Sequence, residues 1–350
     1  MREGLNAVEL LTLDGRMGEG GGQVLRSALS LAVALGRPVR VANVRAGRGK
    51  PGLLRQHRTA LLAAAAISGG AVEGGELGST EVVLHPGRVR PGSYEFGIGS
   101  AGSTLLVLQT VLPPLLLADG PSTILLEGGT HNPMAPPFEF LRDSFAPCLG
   151  ELGVELALEL LRPGFHPAGG GRLRAVVTPV AEPGPLERLE RGAARECRAE
   201  IGLAHLPRDI ADREWRALSR ELGAAGLRRV DRDLASSVGP GNYVSIHLEF
   251  EHVTEVLTAF GERRVSAESV AHRVASEARR YLEASAPVGE HLADQLMLPL
   301  ALLAGGRYRT LAPSLHARTN ADVVNLFLPG AVRFEERGPA DWIVDVRARG

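Results

Sequence analysis

Three stretches of this chain follow one plan: a glycine-led loop, an apolar helix, a short strand, and a loop bearing polar side chains. Internal repetition of this kind limits the folds open to the chain more than any other feature. The first stretch, GEGGGQVLRSALSLAVALGRPVRVANVRAGRGKPG, starts at Gly18; the second, GSAGSTLLVLQTVLPPLLLADGPSTILLEGGTHNP, starts at Gly99; the third, GEHLADQLMLPLALLAGGRYRTLAPSLHARTN, starts at Gly289. Gly18 precedes Arg45 by 27 positions and Gly289 precedes His316 by 27, so the repeat predicts equivalent places for Arg45 and His316. Alternating helices and strands predict an α/β fold. Stacked units present equivalent loops on one face, so the loops around Glu19, Arg45, His131 and His316 are expected to line one cleft.

The first two starts lie 81 residues apart and the last two 190, which predicts an insertion of roughly a hundred residues before the third unit. Residues 1–184 and 287–350 are expected to form the repeat-built body, and 185–286 a second domain. That domain opens at PGP, where the strand GRLRAVVTPV ends. It is expected to carry a helix over DREWRALSRELGAAG, a strand over NYVSIHLEF and a long helix over SAESVAHRVASEARRYLEAS.

With 44% hydrophobic and 23% charged residues, a 350-residue chain can build a substantial core. Cys148 and Cys197 are far apart and form no C-x-x-C pair, which argues against a disulfide framework or a zinc site and for a reducing compartment. MREGLNAVELLTLDG lacks the apolar run of a signal peptide. The greasiest stretch, TLLVLQTVLPPLLLADG, is short and broken by Gln109, Pro113 and Pro114. The expectation is a cytoplasmic protein with a buried apolar helix and no membrane partner.

A net charge of -1 argues against a uniformly basic surface. Locally the balance differs. No acidic residue stands between Glu19 and Glu73, whereas Arg26, Arg37, Arg40, Arg45, Arg48, Lys50, Arg55 and Arg58 all fall in that gap. A solvated face normally mixes signs, so this gap predicts a site for a concentrated anion.

LLTLDG followed by GEGGGQVLR reads as strand, glycine loop and helix start, an arrangement that gathers backbone N–H groups around phosphate or simply makes a tight turn. It is no dinucleotide fingerprint, because Gln23 takes the last glycine position, and Lys50-Pro51 rules out a Walker A sequence. Glu19 in such a loop implies a divalent metal between carboxylate and phosphates. RAGRGKPGLLRQH gathers Arg45, Arg48, Gln56 and His57, whose forked and imidazole donors suit a phosphate monoester and its sugar. HLADQ, from His291 to Gln295, opens the third apolar helix, either as a capping segment or as a contact surface. Gln109 needs a partner for its amide, either backbone or a base or ribose. His131 in GGTHNP has no ligand spacing that supports a metal role beside His316.

Taken together, LDGRMGEGGGQVLRSALSL, RAGRGKPGLLRQH, GSAGSTLLVLQTVLP, GFHPAGGG, GPGN, HLADQL and PSLHARTN closely resemble, in order and along nearly the whole chain, the RNA 3'-terminal phosphate cyclase family. The resemblance implies three βαβαββ repeats around a pseudo-threefold axis, with a smaller thioredoxin-like α/β domain inserted before the last repeat. It implies ATP and a divalent metal, Mg or Mn, as cofactors and RNA with a 3'-phosphate end as partner, the end being converted to a 2',3'-cyclic phosphate. His316 is then the residue that becomes adenylylated. Gln109, His291, Leu292, Ala293, Asp294 and Gln295 contact the nucleotide; Glu19 matches the metal-linked position; Arg26, Arg45, Arg48, Gln56 and His57 match positions near the phosphates. Two departures stand out: Pro163 replaces a usual basic residue before GFHPAGGG, with Arg162 one place earlier, and Arg16-Met17 replaces a small residue after LDG.

Cyclisation requires prior activation, because an unactivated monoester would have to expel oxide or hydroxide. Carrying AMP on the enzyme, through an enzyme-histidine-AMP intermediate and then an RNA-3'-pp-5'-A intermediate, divides the work into easier displacements that release pyrophosphate and AMP. Lys50 is the sole lysine and lacks a K-x-D-G setting. At pH 7 about one lysine in 2,500 is neutral, whereas an imidazole of pKa ~6.5 mostly is, which favours His316. Two other readings of the same motifs are an inactive family member serving as an RNA-processing scaffold and adenylylation of 5'-phosphate ends as a side activity. An enolpyruvyl transferase shares a repeated architecture but leaves HLADQ and PSLHARTN together without a purpose.

Overall fold

The computed structural model describes residues 9–350. The stretch MREGLNAVELLTLDG, read above for its lack of an apolar run, lies partly outside them. The chain is mixed α/β, and the described residues form four four-stranded sheets.

The first sheet takes β1 (Leu11–Asp14), β2 (Val39–Ala42), β3 (Ala71–Glu73) and β4 (Val82–His85), with α1 (Gly22–Leu35) and α2 (Arg55–Ser68) as crossovers. Its order is β1-β2-β4-β3; β1 and β2 are parallel and the other pairs antiparallel. The second sheet takes β5 (Ser93–Gly97), β6 (Ser122–Gly128), β7 (Glu155–Arg162) and β8 (Gly171–Thr178). Between them run α3 (Thr104–Leu115), then α4 (Phe138–Phe140), a π turn over Leu141–Phe145, and α5 (Ala146–Glu151). Its order, β5-β6-β8-β7, repeats the same parallel and antiparallel pattern.

β9 (Leu186–Arg188) is followed by a separate sheet of β10 (Ala194–Ala204), β11 (Leu227–Asp233), β12 (Gly241–Phe250) and β13 (Thr254–Phe260), with α6 (Asp209–Leu222) and α7 (Ala267–Ala284). The order there is β11-β10-β12-β13. The chain then returns through α8 (Glu290–Leu302), β14 (Gly306–Thr310), α9 (Leu315–Phe327), β15 (Val332–Gly338) and β16 (Asp341–Val346). In this last sheet β9 pairs parallel with β14, and β14-β16-β15 is antiparallel. β9 falls inside the stretch 185–286 yet completes the C-terminal sheet. Its three residues are too few to announce a strand in sequence.

Two apolar cores match this division. One is filled by α1, α3, α8, α9 and the strands beneath them; the other gathers Ile201, Leu218, Val244, Ile246, Val270 and Val274 around the β10–β13 sheet. α1 works as a core helix because Leu25, Ala28, Leu29 and Ala32 recur at helical spacing and are fully buried. Each buried leucine contributes about 1.5–3 kcal/mol, and Leu29→Ala would cost about 2–5 kcal/mol. Gly36, in the left-handed region at φ 63°, ends the helix. No helix among the described residues is long and apolar enough to cross a membrane.

His316 does not lie in a loop. Ser314 caps α9 by accepting from the Ala317 N–H, which makes His316 the second helical residue. Its counterpart in α2 is therefore Gln56, whereas Arg45 sits in the turn before that helix with φ 57°. The equal spacing of 27 residues does not give equal placement, because β2 and α2 are joined by a longer connection than β14 and α9.

Candidate functional site

α1, α3 and α8 converge on a pocket lined by side chains of all three helices. The three helices contribute the same positions. The fifth residues are Arg26, Leu108 and Asp294, and the sixth are Ser27, Gln109 and Gln295; all six line the cavity. Gln109 and Gln295 each precede a proline by four residues, Pro113 and Pro299, and the amide of Gln109 donates to the Gln295 side chain.

Arg26 is buried with no acidic side chain in salt-bridge contact. Its Nη2 donates to Gln23 Oε1 at 3.0 Å and its Nε has no partner. Desolvation brings its pKa down to about 10, against the attraction of Asp294 and with the repulsion of Arg48. A buried cation without a charged partner is costly, and a nearby anion would offset that cost. The start of α1 adds to it: Gly21 supplies no side-chain cap and the first turn holds no acidic residue, so N–H groups remain available.

The glycine loop brings Glu19 beside Arg48, with Nη2 to Oε2 at 3.2 Å. It packs closely on both flanks. A Cβ on Gly22 would come 2.5 Å from His57 Nε2 and 2.7 Å from Arg26 Nη1, and one on Gly18, at φ +53°, would overlap the Thr319 hydroxyl. His57 is therefore held against the helix start beside Arg26. Burial first, then Arg26 and Arg45, push its pKa down to about 3, so the ring is neutral and its Nδ1 is free.

His316 Nδ1 lies 3.3 Å from Asp294 Oδ1; the imidazole is one-third exposed and the carboxylate almost wholly buried. Desolvation is the largest single influence on the ring and pulls its pKa down, as does Arg26. The carboxylate of Asp294, 3.3 Å away, with help from Glu19, outweighs that pull and raises the ring's pKa from its ordinary value. With Nδ1 turned to Asp294, Nε2 is the ring nitrogen that this contact leaves open.

The cavity does not gather every residue singled out in the sequence. Five consecutive helical residues sweep more than a full turn, so only Asp294 and Gln295 of HLADQ face it. Leu292 and Ala293 pack in the core, and His291 is exposed beside Glu277 and Arg280 in a second, smaller pocket. Arg45 donates to the carbonyls of Lys50 and Gly52, shaping its own loop. Gln56 Oε1 accepts from the Ser103 N–H at the start of α3. His131 does not join His316: its ring lies between Phe165 and Tyr243 and bonds Thr130 and Glu139. Arg16 pairs with Asp14, and Arg162 donates to the Gly170 carbonyl.

Three polar residues at the cavity were missed: Gln23, Ser27 and Asn320. The signal for the first two was present, because Gln23, Arg26 and Ser27 stand at i, i+3 and i+4 in a helix that is otherwise apolar. Asn320 is hidden by its place one turn beyond His316.

The profile of the family described as RTC: RNA 3'-terminal phosphate cyclase matches residues 17–334. A curated RNA 3'-terminal phosphate cyclase of Koribacter versatilis (strain Ellin345) is 48% identical over 336 residues, 96% of this chain and 95% of its own length. Among solved structures, the enolpyruvyl transferase NikO from Streptomyces tendae aligns with 98% of this chain and 48% of its own, at 12% identity and a TM-score of 0.39.

Proposed function

The chain belongs to the RNA 3'-terminal phosphate cyclase family, and on that premise we propose that it uses ATP to convert an RNA 3'-terminal phosphate into a 2',3'-cyclic phosphate, with His316 as the nucleophile. The observation that carries this reading is the contact of His316 Nδ1 with Asp294 beside a cavity holding the buried Arg26 guanidinium, whose Nε has no partner.

In the first step Nε2 attacks the α-phosphorus of ATP, a P–N bond forms, the α–β bridging P–O bond breaks, and pyrophosphate leaves. Asp294 stabilises the ring as it gains positive charge, and Arg26 faces the developing negative charge on the phosphoryl oxygens. An oxygen of the RNA 3'-phosphate then displaces the imidazole, giving RNA-3'-pp-5'-A. The 2'-hydroxyl, held next to the activated phosphorus, attacks it and loses its proton, and AMP departs. Arg48 and the neutral His57 are placed to orient the RNA phosphate, Gln109 and Gln295 the nucleotide. Arg45 and Gln56 support their loops, and His291, Leu292 and Ala293 turn away from the cavity, leaving Asp294 and Gln295 as the residues of that run beside the nucleotide.

Among the described residues no group of three or more His, Cys, Asp or Glu side chains is gathered to cage an ion. Glu19 is the residue that would hold Mg²⁺ or Mn²⁺, together with substrate phosphates. Bound there, the ion would neutralise phosphate charge.

The shared pairing pattern of three sheets and the equivalent cavity positions support three βαβαββ units about a pseudo-threefold axis. The order β11-β10-β12-β13 supports a thioredoxin-like insert. We place the insert between β9 and α8, the rest forming the catalytic body.

The test is incubation with α-labelled ATP and a 3'-phosphorylated oligoribonucleotide. The wild type should yield an acid-labile labelled protein and a phosphatase-resistant RNA end, and His316→Ala neither. Label retained on His316→Ala would move the nucleophile elsewhere.

A further inference from the structure

One line of hydrogen bonds crosses the molecule beneath the site. Arg26 Nη2 donates to Gln23 Oε1 at 3.0 Å; Gln23 Nε2 donates to Ser27 Oγ at 3.0 Å; Ser27 Oγ donates to Asn320 Oδ1 at 2.7 Å; Asn320 Nδ2 donates to the Asp294 carbonyl at 3.0 Å. Every link points the same way, from the guanidinium in α1 through α9 to α8. Ser27 and Asn320 are each 2% exposed, and Asp294 is 4% exposed. In such a dry place consecutive donors polarise one another, and removing one leaves its neighbour unpaired.

The three helices joined by this line carry the three groups that meet at the site. α1 carries Arg26, α8 carries Asp294, and α9 carries His316 one turn before Asn320. Side chains four apart share a helix face, so Asn320 sets how α9 lies on α8 at the point where His316 meets Asp294. Neither Ser27 nor Asn320 contacts the imidazole among the hydrogen bonds of the structure.

We propose that Asn320, held by Ser27, is a positioning residue that keeps His316 Nδ1 on the Asp294 carboxylate. The inference rests on the reading of His316 as nucleophile for its kinetic consequence, but the geometry it concerns can be read without activity. The charged groups that bear on His316 are Asp294 from α8, Arg26 from α1 and Glu19 from the glycine loop. Of these, Asp294 lies against the ring at 3.3 Å, and its charge raises the ring's proton affinity. A slackened α9 would lose that contact while keeping the burial that opposes protonation.

The experiment compares the wild-type chain with Asn320→Ala, Ser27→Ala and a control, Asn325→Ala. Asn325 is a second amide of α9, bonded through Nδ2 to the Val332 carbonyl and through Oδ1 to the Val332 N–H, on the way to β15. Enzyme-AMP formation is followed from α-labelled ATP across pH, and the His316 ring is titrated by NMR. Asn320→Ala and Ser27→Ala are expected to slow enzyme-AMP formation about 10-fold or more and to move the His316 midpoint down by about one unit. Asn325→Ala should lower thermal stability and leave that midpoint in place. If Asn320→Ala loses stability as the control does while the midpoint stays put, the inference is overturned; Ser27→Ala decides the matter if Asn320→Ala does not fold. Label persisting on His316→Ala would instead defeat the nucleophile reading, and the NMR midpoint would still judge the positioning role.

Discussion

His316 and Asp294 come from different helices, α9 and α8, and their facing atoms are 3.3 Å apart. This contact fixes which ring nitrogen is free. Replacing Asp294 with Asn keeps the size but removes the charge, so the ring loses both its orientation and its electrostatic support. Asp294→Asn is expected to slow enzyme-AMP formation by about 10- to 100-fold, measured by single-turnover labelling at saturating ATP.

The raised pKa of His316 sets an acid limb. A protonated imidazole has no lone pair at Nε2, so activity falls as pH drops through the ring's pKa, which lies above 6.5. The midpoint of enzyme-AMP formation with pH is expected above that value in the wild type and lower in Asp294→Asn. Equal midpoints in the two proteins would contradict the assignment.

Two glycines beside the site should respond differently to alanine. At Gly22 the added carbon meets side-chain tips, His57 Nε2 at 2.5 Å and Arg26 Nη1 at 2.7 Å, and φ is not positive. Gly22→Ala should displace both groups and cut activity about 10-fold, with little change in urea midpoint. At Gly18 the carbon would overlap Thr319 and the backbone is left-handed at φ +53°. Gly18→Ala should cost about 2–4 kcal/mol in urea unfolding, by overpacking and backbone strain together.

Glu255 links the insert to α8: it is fully buried on β13 and its Oε2 accepts from the Gly289 N–H at 3.1 Å. Burial raises its pKa to about 8, against the pull of that N–H and of Arg191. The folded chain therefore keeps a proton that the unfolded chain releases near pH 4.5. Stability falls as pH rises between those values and levels off above about 8. Glu255→Gln keeps an acceptor for Gly289 and never ionises. It should be more stable than the wild type at pH 8 by about 1–3 kcal/mol and show a flatter dependence, as read by thermal melts from pH 5 to 9.

Much of the arrangement is written in the chain. The apolar periodicity of α1, α3 and α8 marks three core helices; of the cations in the acid-free gap, Arg26 lines the cavity, whereas Arg40 pairs with Glu81 and Arg58 with the Gly75 carbonyl. The long insert helix reads directly from SAESVAHRVASEARRYLEAS, with Ser266 as its cap. What escapes is orientation. HLADQ does not say that Asp294 and Gln295 turn toward the cavity while Leu292 turns into the core, because that depends on which face of α8 meets α1 and α9. His131 looked available in GGTHNP, and only folding places Phe165 and Tyr243 against its two faces. Arg45 looked like a phosphate ligand, yet two nearby carbonyls take its donors. A capping serine two residues ahead was enough to make a helix of the His316 segment, and Ser314 was visible in PSLHARTN.

The fifth positions of α1, α3 and α8 hold a cation, a hydrocarbon and an anion: Arg26, Leu108 and Asp294. Divergence at this one place per helix gives the pocket a positive and a negative side, with the His316 imidazole set 3.3 Å from the latter. Polarity in this pocket is thus a property of three side chains rather than of the backbone, and trading the residues at Arg26 and Asp294 would reverse its sense without redrawing a single strand.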